Sequence, residues 1–262
     1  MEKLLVFIPC YNCAAQIARV LKQFDDHTAA YFSEILVLDN GSKDDTVASA
    51  VKSAGAVQKL PVTIGKNRAN YNLGGSHKAA FRYALAHGFT HIVVLHGDDQ
   101  GSIADLLPVL KSGLHQEHDA CLGARFMAGS KLKGYSNFRI FGNRVFNFIF
   151  TLGTAKTVRD LGSGLNIFNR RVIEDERVST YADDLRFNVY LLLGLFRNRM
   201  KVKYFPISWR EDDQVSNVKM TSQAIATLQL LVQSIIGKSA FWARDHRTVA
   251  RAEYNFDVVY QK

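Results

Sequence analysis

Two adjacent carboxylates, Asp98 and Asp99, stand before Gln100 at the end of an apolar run, His91-Ile-Val-Val-Leu95. Oxygen donors in such a place suit Mg²⁺ or Mn²⁺, with Asp98, Asp99 and Gln100 as candidate ligands. An ion held there keeps positions open for a diphosphate and neutralises charge on a departing nucleotide. The same residues admit a plainer role, since Asp99 or Ser102 could cap a helix beginning near Ile103. Asp39, before Asn40-Gly41-Ser42, divides in the same way. It could accept hydrogen bonds from a base or ribose, or it could shape a tight turn. Asn72-Leu-Gly-Gly-Ser-His-Lys78 is a glycine-containing loop leading into a helix, whose first N–H groups could hold an anion. It matches neither the P-loop nor the dinucleotide fingerprint, and a simple turn is the alternative. Cys10-Tyr-Asn-Cys13 has the spacing of a redox pair. With no second pair to make a zinc site, two incidental thiols are the favoured reading. Residues 131–171 hold eight basic residues, one acid (Asp160) and six phenylalanines. That mixture suggests a membrane interface that also collects phosphate, against a core helix with a solvated charged face.

The chain that must position these groups has 262 residues, enough for one large domain or two small ones. Apolar residues make up 47% and charged residues 22%. These values exclude a disordered chain, a collagen-like chain and a disulfide-dense mini-protein. Lys and Arg number 33 against 24 Asp and Glu, a net charge of +9, which favours anionic partners. No nucleic-acid-binding motif accompanies that charge. Three cysteines argue against a secreted disulfide framework. The opening MEKLLVFIPCYN lacks the length and cleavage site of a signal peptide, and no apolar stretch reaches 18 residues. A cytoplasmic protein is expected, with peripheral association at the inner face of the membrane open to it.

The first half alternates between two periods. Leu4–Ile8, Glu34–Leu38, Pro61–Ile64, His91–Leu95 and Asp119–Gly123 read as buried strands. Helices are expected around Ile17–Phe24, Asp44–Ala54, 75–87 and Ile103–Leu110. This β-α-β-α pattern implies an α/β/α sandwich with a mostly parallel sheet. In such sheets ligands bind beyond the carboxyl ends of the strands. That rim would gather Pro9–Asn12, Asp39–Ser42, Gly97–Gln100 and Arg125. In the second half, residues 138–152 form an amphipathic helix, Leu165–Phe168 a short strand and 184–197 a helix. Lys201–Trp209 alternates as a strand, and 219–242 form one or two helices. The last twenty residues show no clear pattern.

Taken together, the segments resemble a family 2 glycosyltransferase with the GT-A (Rossmann-like) nucleotide-sugar fold, and more narrowly the dolichol-phosphate mannose synthase group. FIPCYN resembles the opening strand and turn of that family, and LVLDNGSKDDT its VDDGSxDxT signature. NLGGSHKAAFRYALAHG resembles the NxGxxxAxxxGxxxAxG stretch, VLHGDDQ the metal-binding MDADLQ, and LGARF the GSRY. FGNRVFNFIF resembles the amphipathic helix, RDLGSGLNIFNRRVI the DxxSGFRLYxRxV segment, and VKYFPISWREDDQVSNVK the closing IxEVPIxFxxRxxGxSK. Four departures stand out: Asn40 replaces the second Asp of DDGS, His96 the first Asp of the DxD triplet and Asn166 the Arg of SGFR. The closing segment is offset around Ser216 and Lys219.

The resemblance implies an inverting, Mg²⁺- or Mn²⁺-dependent transfer of a sugar from a nucleoside-diphosphate sugar to a polyprenyl phosphate. Residues 1–215 would form the transferase domain and 216–262 a helical extension with a tail. Pro9, Tyr11 and Asn12 would line the nucleotide pocket, with Gly75 nearby and Asp39 on the base or ribose. Asp98 with Gln100 would bind the ion, and Asp99 is an extra acid beside them. Arg125, Arg144, Arg210 and Lys219 would meet diphosphate or acceptor phosphate. Asp160 and Ser163 would lie near the reacting sugar. A phosphate acceptor is already largely ionised at neutral pH and needs arginine clamps more than a base. A glycan hydroxyl would need a carboxylate base, for which Asp160, Asp183 and Asp184 are candidates. A catalytically silent nucleotide-sugar-binding module is the third reading, motivated by Asn40 and His96. Residues 138–152 and 219–242 would dock on an acidic membrane, or pack on each other as core or as a homodimer seam.

Overall fold

The computed structural model describes residues 2–211 and 220–262. Its first half runs β1 (Leu4–Cys10), α1 (Ile17–Leu21), α2 (Asp26–Ala29), β2 (Glu34–Asp39), α3 (Thr46–Ala54), β3 (Val62–Asn67), α4 (Asn72–Ala86) and β4 (His91–Leu95). After a 3₁₀ turn at Ile103–Leu106 come α5 (Leu107–Lys111), α6 (Leu114–Glu117), β5 (Ala120–Ala124), β6 (Lys131–Lys133) and α7 (Asn137–Thr154). Then follow β7 (Leu165–Asn169), α8 (Arg170–Ile173), α9 (Phe187–Arg197), β8 (Val202–Pro206) and β9 (Ser208–Arg210). The described chain closes with α10 (Met220–Ile236), α11 (Lys238–Trp242) and β10 (Phe256–Gln261).

Eight strands form one sheet in the order β10-β3-β2-β1-β4-β7-β5-β8, and β6 pairs with β9 apart from it. Only β7 and β10 run against the rest of the large sheet. The continuous apolar run of β1 is explained by burial on both faces. Leu5 and Phe7 join a core layer with α4, α9, α10 and α11. Leu4, Val6 and Ile8 face a second layer with α1, α3 and α5. The result is the expected α/β/α sandwich with a mostly parallel sheet.

The chain leaves β1 for β2 and β3 on one side, then returns to place β4 on the other side of β1. That reversal opens a crevice beyond the carboxyl ends of β1 and β4. The expected strand over Lys201–Trp209 is two strands in two sheets, because the chain turns at Pro206 and Ile207: β8 pairs with β5, and β9 with β6. The last residues, unpatterned in the sequence, return to the main sheet. Residues 216–262 therefore contribute an edge strand, β10, to the same layer as β1. Its irregular alternation reflects a register shift between Val258 and Tyr260 and an exposed outer face. β10 fits because β3 carries Gly65, where a Cβ would meet Phe256 at 2.4 Å and Leu38 at 2.9 Å.

Gly65→Ala should therefore destabilise the protein by about 1–3 kcal/mol through overpacking. Urea unfolding measures the loss. Equal stability of variant and parent would show that Phe256 moves aside freely.

Candidate active site

Two cavities meet at the crevice. The first, about 360 Å³, lies at the strand reversal and has a mixed lining, with Asn40, Asn70, Asn72 and Ser76 among its polar groups. Pro9, Cys10 and Tyr11 reach it from the end of β1, Asn40 from β2, Leu73 and Ser76 from α4, and His96 and Asp98 from the loop after β4. The second, about 540 Å³, lies beneath α7 and α10. Phe138, Phe146, Leu161, Val189 and Ala224 give it apolar walls, and Arg125, Arg139, Asn143 and Asn188 give it polar groups. His96, Asp98, Leu73 and Leu185 border both. The two cavities thus share a waist at Asp98, the only carboxylate among the described residues that line them.

Asp98 is half-buried, and its Oδ1 accepts the Gln100 N–H at 3.2 Å. Burial, helped by the neighbouring Asp99 charge and opposed by that hydrogen bond, raises its pKa from 3.8 to about 6. Such a carboxylate gains most from a cation. Beside it, His96 keeps a buried ring nitrogen, Nε2, without a hydrogen-bond partner. Burial and the Arg125 charge lower the His96 pKa to about 4, so the ring is neutral at pH 7. Among the described residues no three His, Cys, Asp or Glu side chains converge to hold a metal alone. The residues present fit a divalent ion that takes most of its ligands from a diphosphate, with Asp98 as the protein's anchor.

Asn40 is the hub of the first cavity's wall. Its Oδ1 accepts from Tyr71 N at 2.8 Å and Asn67 Nδ2 at 3.0 Å, while its Nδ2 donates to Asn70 Oδ1 at 2.9 Å. An ionised Asp could not make that donation. The Asp-to-Asn departure at 40 thus has a structural use.

Of the residues singled out in the sequence, Pro9, Tyr11, Asp98, Gln100 and Arg125 border the cavities. Asp39 lies on the same rim, paired in register with Cys10, but its buried carboxylate is turned to the loop. It accepts the N–H groups of Gly41 and Ser42 at 3.1 Å, with Gly41 at φ +80°. The turn reading of Asp39 is the one the geometry supports. Asn12 lies just outside, where Oδ1 accepts Lys43 N and its own N–H donates to Ser42 Oγ, both at 2.9 Å. Gly75 is a packing site, where a Cβ would fall 2.6 Å from Tyr71 and 3.0 Å from Tyr254. Ser163 is buried, its hydroxyl donating to Leu165 O at 3.2 Å.

The expected three-ligand metal set is not assembled. Asp99 is fully buried and turned away from Asp98, paired with Arg19 and Arg210. Arg210 is consequently on the far side of that loop from the crevice. Asp160 does not approach the waist as a base. Its carboxylate accepts Arg125 Nε and Nη2 at 2.8 Å, Arg125 N at 2.9 Å and Gly162 N at 3.2 Å. The Arg125 pKa is raised: burial works against its charge, but the Asp160 carboxylate more than compensates. Arg125 is further held by the Phe126 and Trp209 rings, at 5.1 and 5.0 Å. Arg144 lies on the exposed outer side of α7. Lys219, like Ser216, falls outside the described residues.

Arg139 is the inward-facing arginine of α7. Its Nη1 pairs with Glu211, its guanidinium stacks on Tyr135 at 4.3 Å, and its buried Nε has no partner among the described residues. The signal was present in the sequence: 139, 143 and 146 recur at helical spacing, and Arg144 falls about 130° around the helix from them. The Cys10 and Cys13 thiols are buried and unbridged. The Cys10 pKa is raised by a hydrogen bond with Cys13, then by burial and by nearby charges that include both Asp39 and Asp98. A raised thiol pKa is the reverse of what a redox cysteine needs.

Residues 5–177 match the family described as Glycosyl transferase family 2. An undecaprenyl-phosphate 4-deoxy-4-formamido-L-arabinose transferase of Sodalis glossinidius is 28% identical over 182 residues, 66% of this chain and 51% of its own. The chain thus spans about half the length of that relative. The dolichyl-phosphate beta-glucosyltransferase of Saccharomyces cerevisiae is 24% identical over 254 residues, covering 85% of this chain and 73% of its own. Among solved structures, glucosyl-3-phosphoglycerate synthase from Mycobacterium tuberculosis, in complex with Mn²⁺, uridine diphosphate and phosphoglyceric acid, superposes with a TM-score of 0.61. The match covers 98% of this chain and 86% of that one at 13% identity. The sheet order, the crevice at the strand reversal and these likenesses agree: the fold is GT-A, and the chain belongs to glycosyltransferase family 2.

Proposed function

We propose that this glycosyltransferase moves a sugar, with inversion, from a nucleoside-diphosphate sugar to a polyprenyl phosphate at a membrane surface. The observation that carries the proposal is the pair of unlike cavities joined at Asp98. The more polar one suits a nucleotide, and the largely apolar one with inward arginines suits a lipid phosphate.

The acids support a phosphate acceptor over a glycan hydroxyl. Asp160 is filled by Arg125 and Gly162. Asp183 is held by Lys78 at 2.7 Å and by the Tyr254 hydroxyl at 2.9 Å. Asp184 is clasped by Arg186, with Nη2 at 2.7 Å. A hydroxyl acceptor needs a base, and each of these three is committed to a partner. A phosphate monoester, with a second pKa near ~6, brings its own nucleophilic charge. One phosphate oxygen attacks the anomeric carbon opposite the diphosphate. The new C–O bond forms as the old one breaks, and the nucleoside diphosphate leaves with the bonding electrons. A bound Mg²⁺ or Mn²⁺ neutralises charge on that diphosphate. Asp98 would hold the ion, Pro9 and Asn40 would wall the nucleotide, and Arg139 would receive the acceptor phosphate by charge-assisted hydrogen bonds.

The outer face of α7 supports docking. Phe138, Phe141, Val145, Phe148 and Leu152 recur at alternating spacings of three and four, so they form one stripe. Phe138 is 82% exposed and Phe148 62%. α10 packs beside α7, where a Cβ at Gly153 would meet Leu231 at 3.0 Å, and presents Ile225, Val232 and Ile236 outward. The expected packing of the two segments on each other is thus combined with an exposed apolar surface. Arg144, Lys156 and Arg159 are exposed in the same segment, a composition that suits acidic lipid. Among the described residues no helix is long and apolar enough to cross a membrane.

The direct test supplies uridine- and guanosine-diphosphate sugars, Mn²⁺ and vesicles containing a polyprenyl phosphate. Label should move to the lipid with release of nucleoside diphosphate. Transfer to a soluble glycan but never to lipid phosphate would overturn the acceptor assignment. Donor binding without turnover on any acceptor would instead mean a silent module.

Asp98→Asn should abolish that transfer and yet raise the stability of the metal-free protein. With a folded pKa about 6 against 3.8 unfolded, ionised Asp98 costs the fold about 3 kcal/mol at pH 7. That cost fades as pH falls from about 6 towards 4. The variant should therefore melt higher than the parent at pH 7, and the gap should close near pH 4. A variant melting lower at pH 7 would contradict the desolvation argument.

Replacing Phe141 and Phe148 together by Ser should weaken flotation with acidic vesicles by about tenfold or more. Full burial of each ring is worth about 1.5–3 kcal/mol. Failure of the parent protein to float at low salt would sink the docking proposal.

A further inference from the structure

Asp99 is an acid that the crevice does not use. It follows Asp98 directly, but the two carboxylates point to opposite sides of one loop. Asp98 borders the two catalytic cavities, while Asp99 is fully buried against a third, at the rear of the loop. The divergence comes from the backbone, since Asp99 has φ +61°. A non-glycine residue in that region costs of order 1–3 kcal/mol and persists only where its surroundings impose it.

Three side chains impose it here. Arg19 Nε donates to Asp99 Oδ2 at 2.5 Å. Gln23 Nε2 donates to Oδ1 at 3.2 Å, while Gln23 Oε1 accepts Ile103 N at 2.9 Å. Arg210 pairs with the carboxylate and also donates from Nε to the Asp99 carbonyl at 2.7 Å. The Arg210 N–H donates to the Gln100 carbonyl at 3.0 Å. Side chain and backbone of the loop are thus gripped from α1 and the turn after it on one flank and from β9 on the other. A buried carboxylate stays in place only when paired in this manner.

We propose that Asp99, held by Arg19, Gln23 and Arg210, is a positioning residue that fixes the turn presenting Asp98 and Gln100 to a nucleotide-bound metal ion. The inference rests on the donor site proposed above. It assigns the extra acid a role behind the metal position, and it gives Arg210 a partner other than substrate phosphate. Loss of a contact that orients a metal ligand commonly weakens metal affinity by about 10–100-fold.

The test is calorimetric titration of uridine and guanosine diphosphates with and without Mn²⁺. The parent should show a gain in affinity for one of them when Mn²⁺ is present, and Asp98→Asn should lose that gain. In Asp99→Asn and in Arg19→Gln the gain should fall about tenfold or more, with metal-free nucleotide affinity kept within about twofold. Arg19→Lys should recover part of it. Thermal melts confirm folding. Arg19, whose side chain is 44% exposed, carries the test should Asp99→Asn fail to fold. A folded Arg19→Gln protein with the full metal-dependent gain would overturn the positioning role while leaving the donor site standing. A parent protein without any metal-dependent gain would overturn the donor site and this inference together.

Discussion

The cost of burying a carboxylate governs the chemistry available to this chain. An ionised acid removed from water must be matched by cations and N–H donors or else lose its charge. Around the crevice, Asp160 is matched by Arg125, Asp183 by Lys78 and Tyr254, Asp184 by Arg186, and Asp99 by Arg19 and Arg210. Each match spends an acid on architecture. Asp98 has a backbone N–H among its partners, sits at the waist of both cavities, and carries a pKa raised chiefly by burial. The position proposed for a divalent ion rests on this distribution more than on the number of acids in the motif.

The same accounting orders the two ends of the crevice. Asn40 joins loops by accepting and donating at once, and adds no charge to the wall of the first cavity. Arg139 and Arg125 bring positive charge to the apolar cavity, each anchored by an acid and an aromatic ring. The proposed acceptor, an anionic head with a hydrocarbon tail, would satisfy both features of that cavity. A sugar acceptor would leave the apolar walls unused.

The sheet and its rim were legible from the sequence because burial on both faces writes continuous apolar runs at β1, β2 and β4, and the ligand-bearing turns follow those runs directly. Pro9, Tyr11, Asp98 and Gln100 were found by that logic. The misplaced residues share one cause: residue type reports charge but not direction. Asp98 and Asp99 are adjacent residues of one type, both offered as metal ligands, and a single positive φ sends them to opposite sides. Arg139 and Arg144 differ only in helical phase, and the phase is readable once Phe141, Val145 and Phe148 are recognised as an outward stripe. β10 was illegible because an edge strand with one exposed face and a register shift writes no clean alternation. Its docking depends on Gly65, some 190 residues earlier in the chain.

The amphipathic helix α7 unites these arguments. Its inner side carries Arg139, Asn143 and Phe146 to the second cavity, and its outer side carries five large apolar residues to solvent. A helix with no second apolar environment would gain from polar residues at those five positions, since exposed Phe and Leu add nothing to folding. Their retention in one continuous stripe is economical if the helix lies in a lipid interface, where both sides of it are satisfied at the same time. A lipid phosphate held in that interface would then need only to slide under the helix edge, past Phe138, to reach Arg139 and the waist at Asp98. Membrane docking and acceptor choice are in this view one property of one helix, set by the angle between its arginine and its phenylalanines.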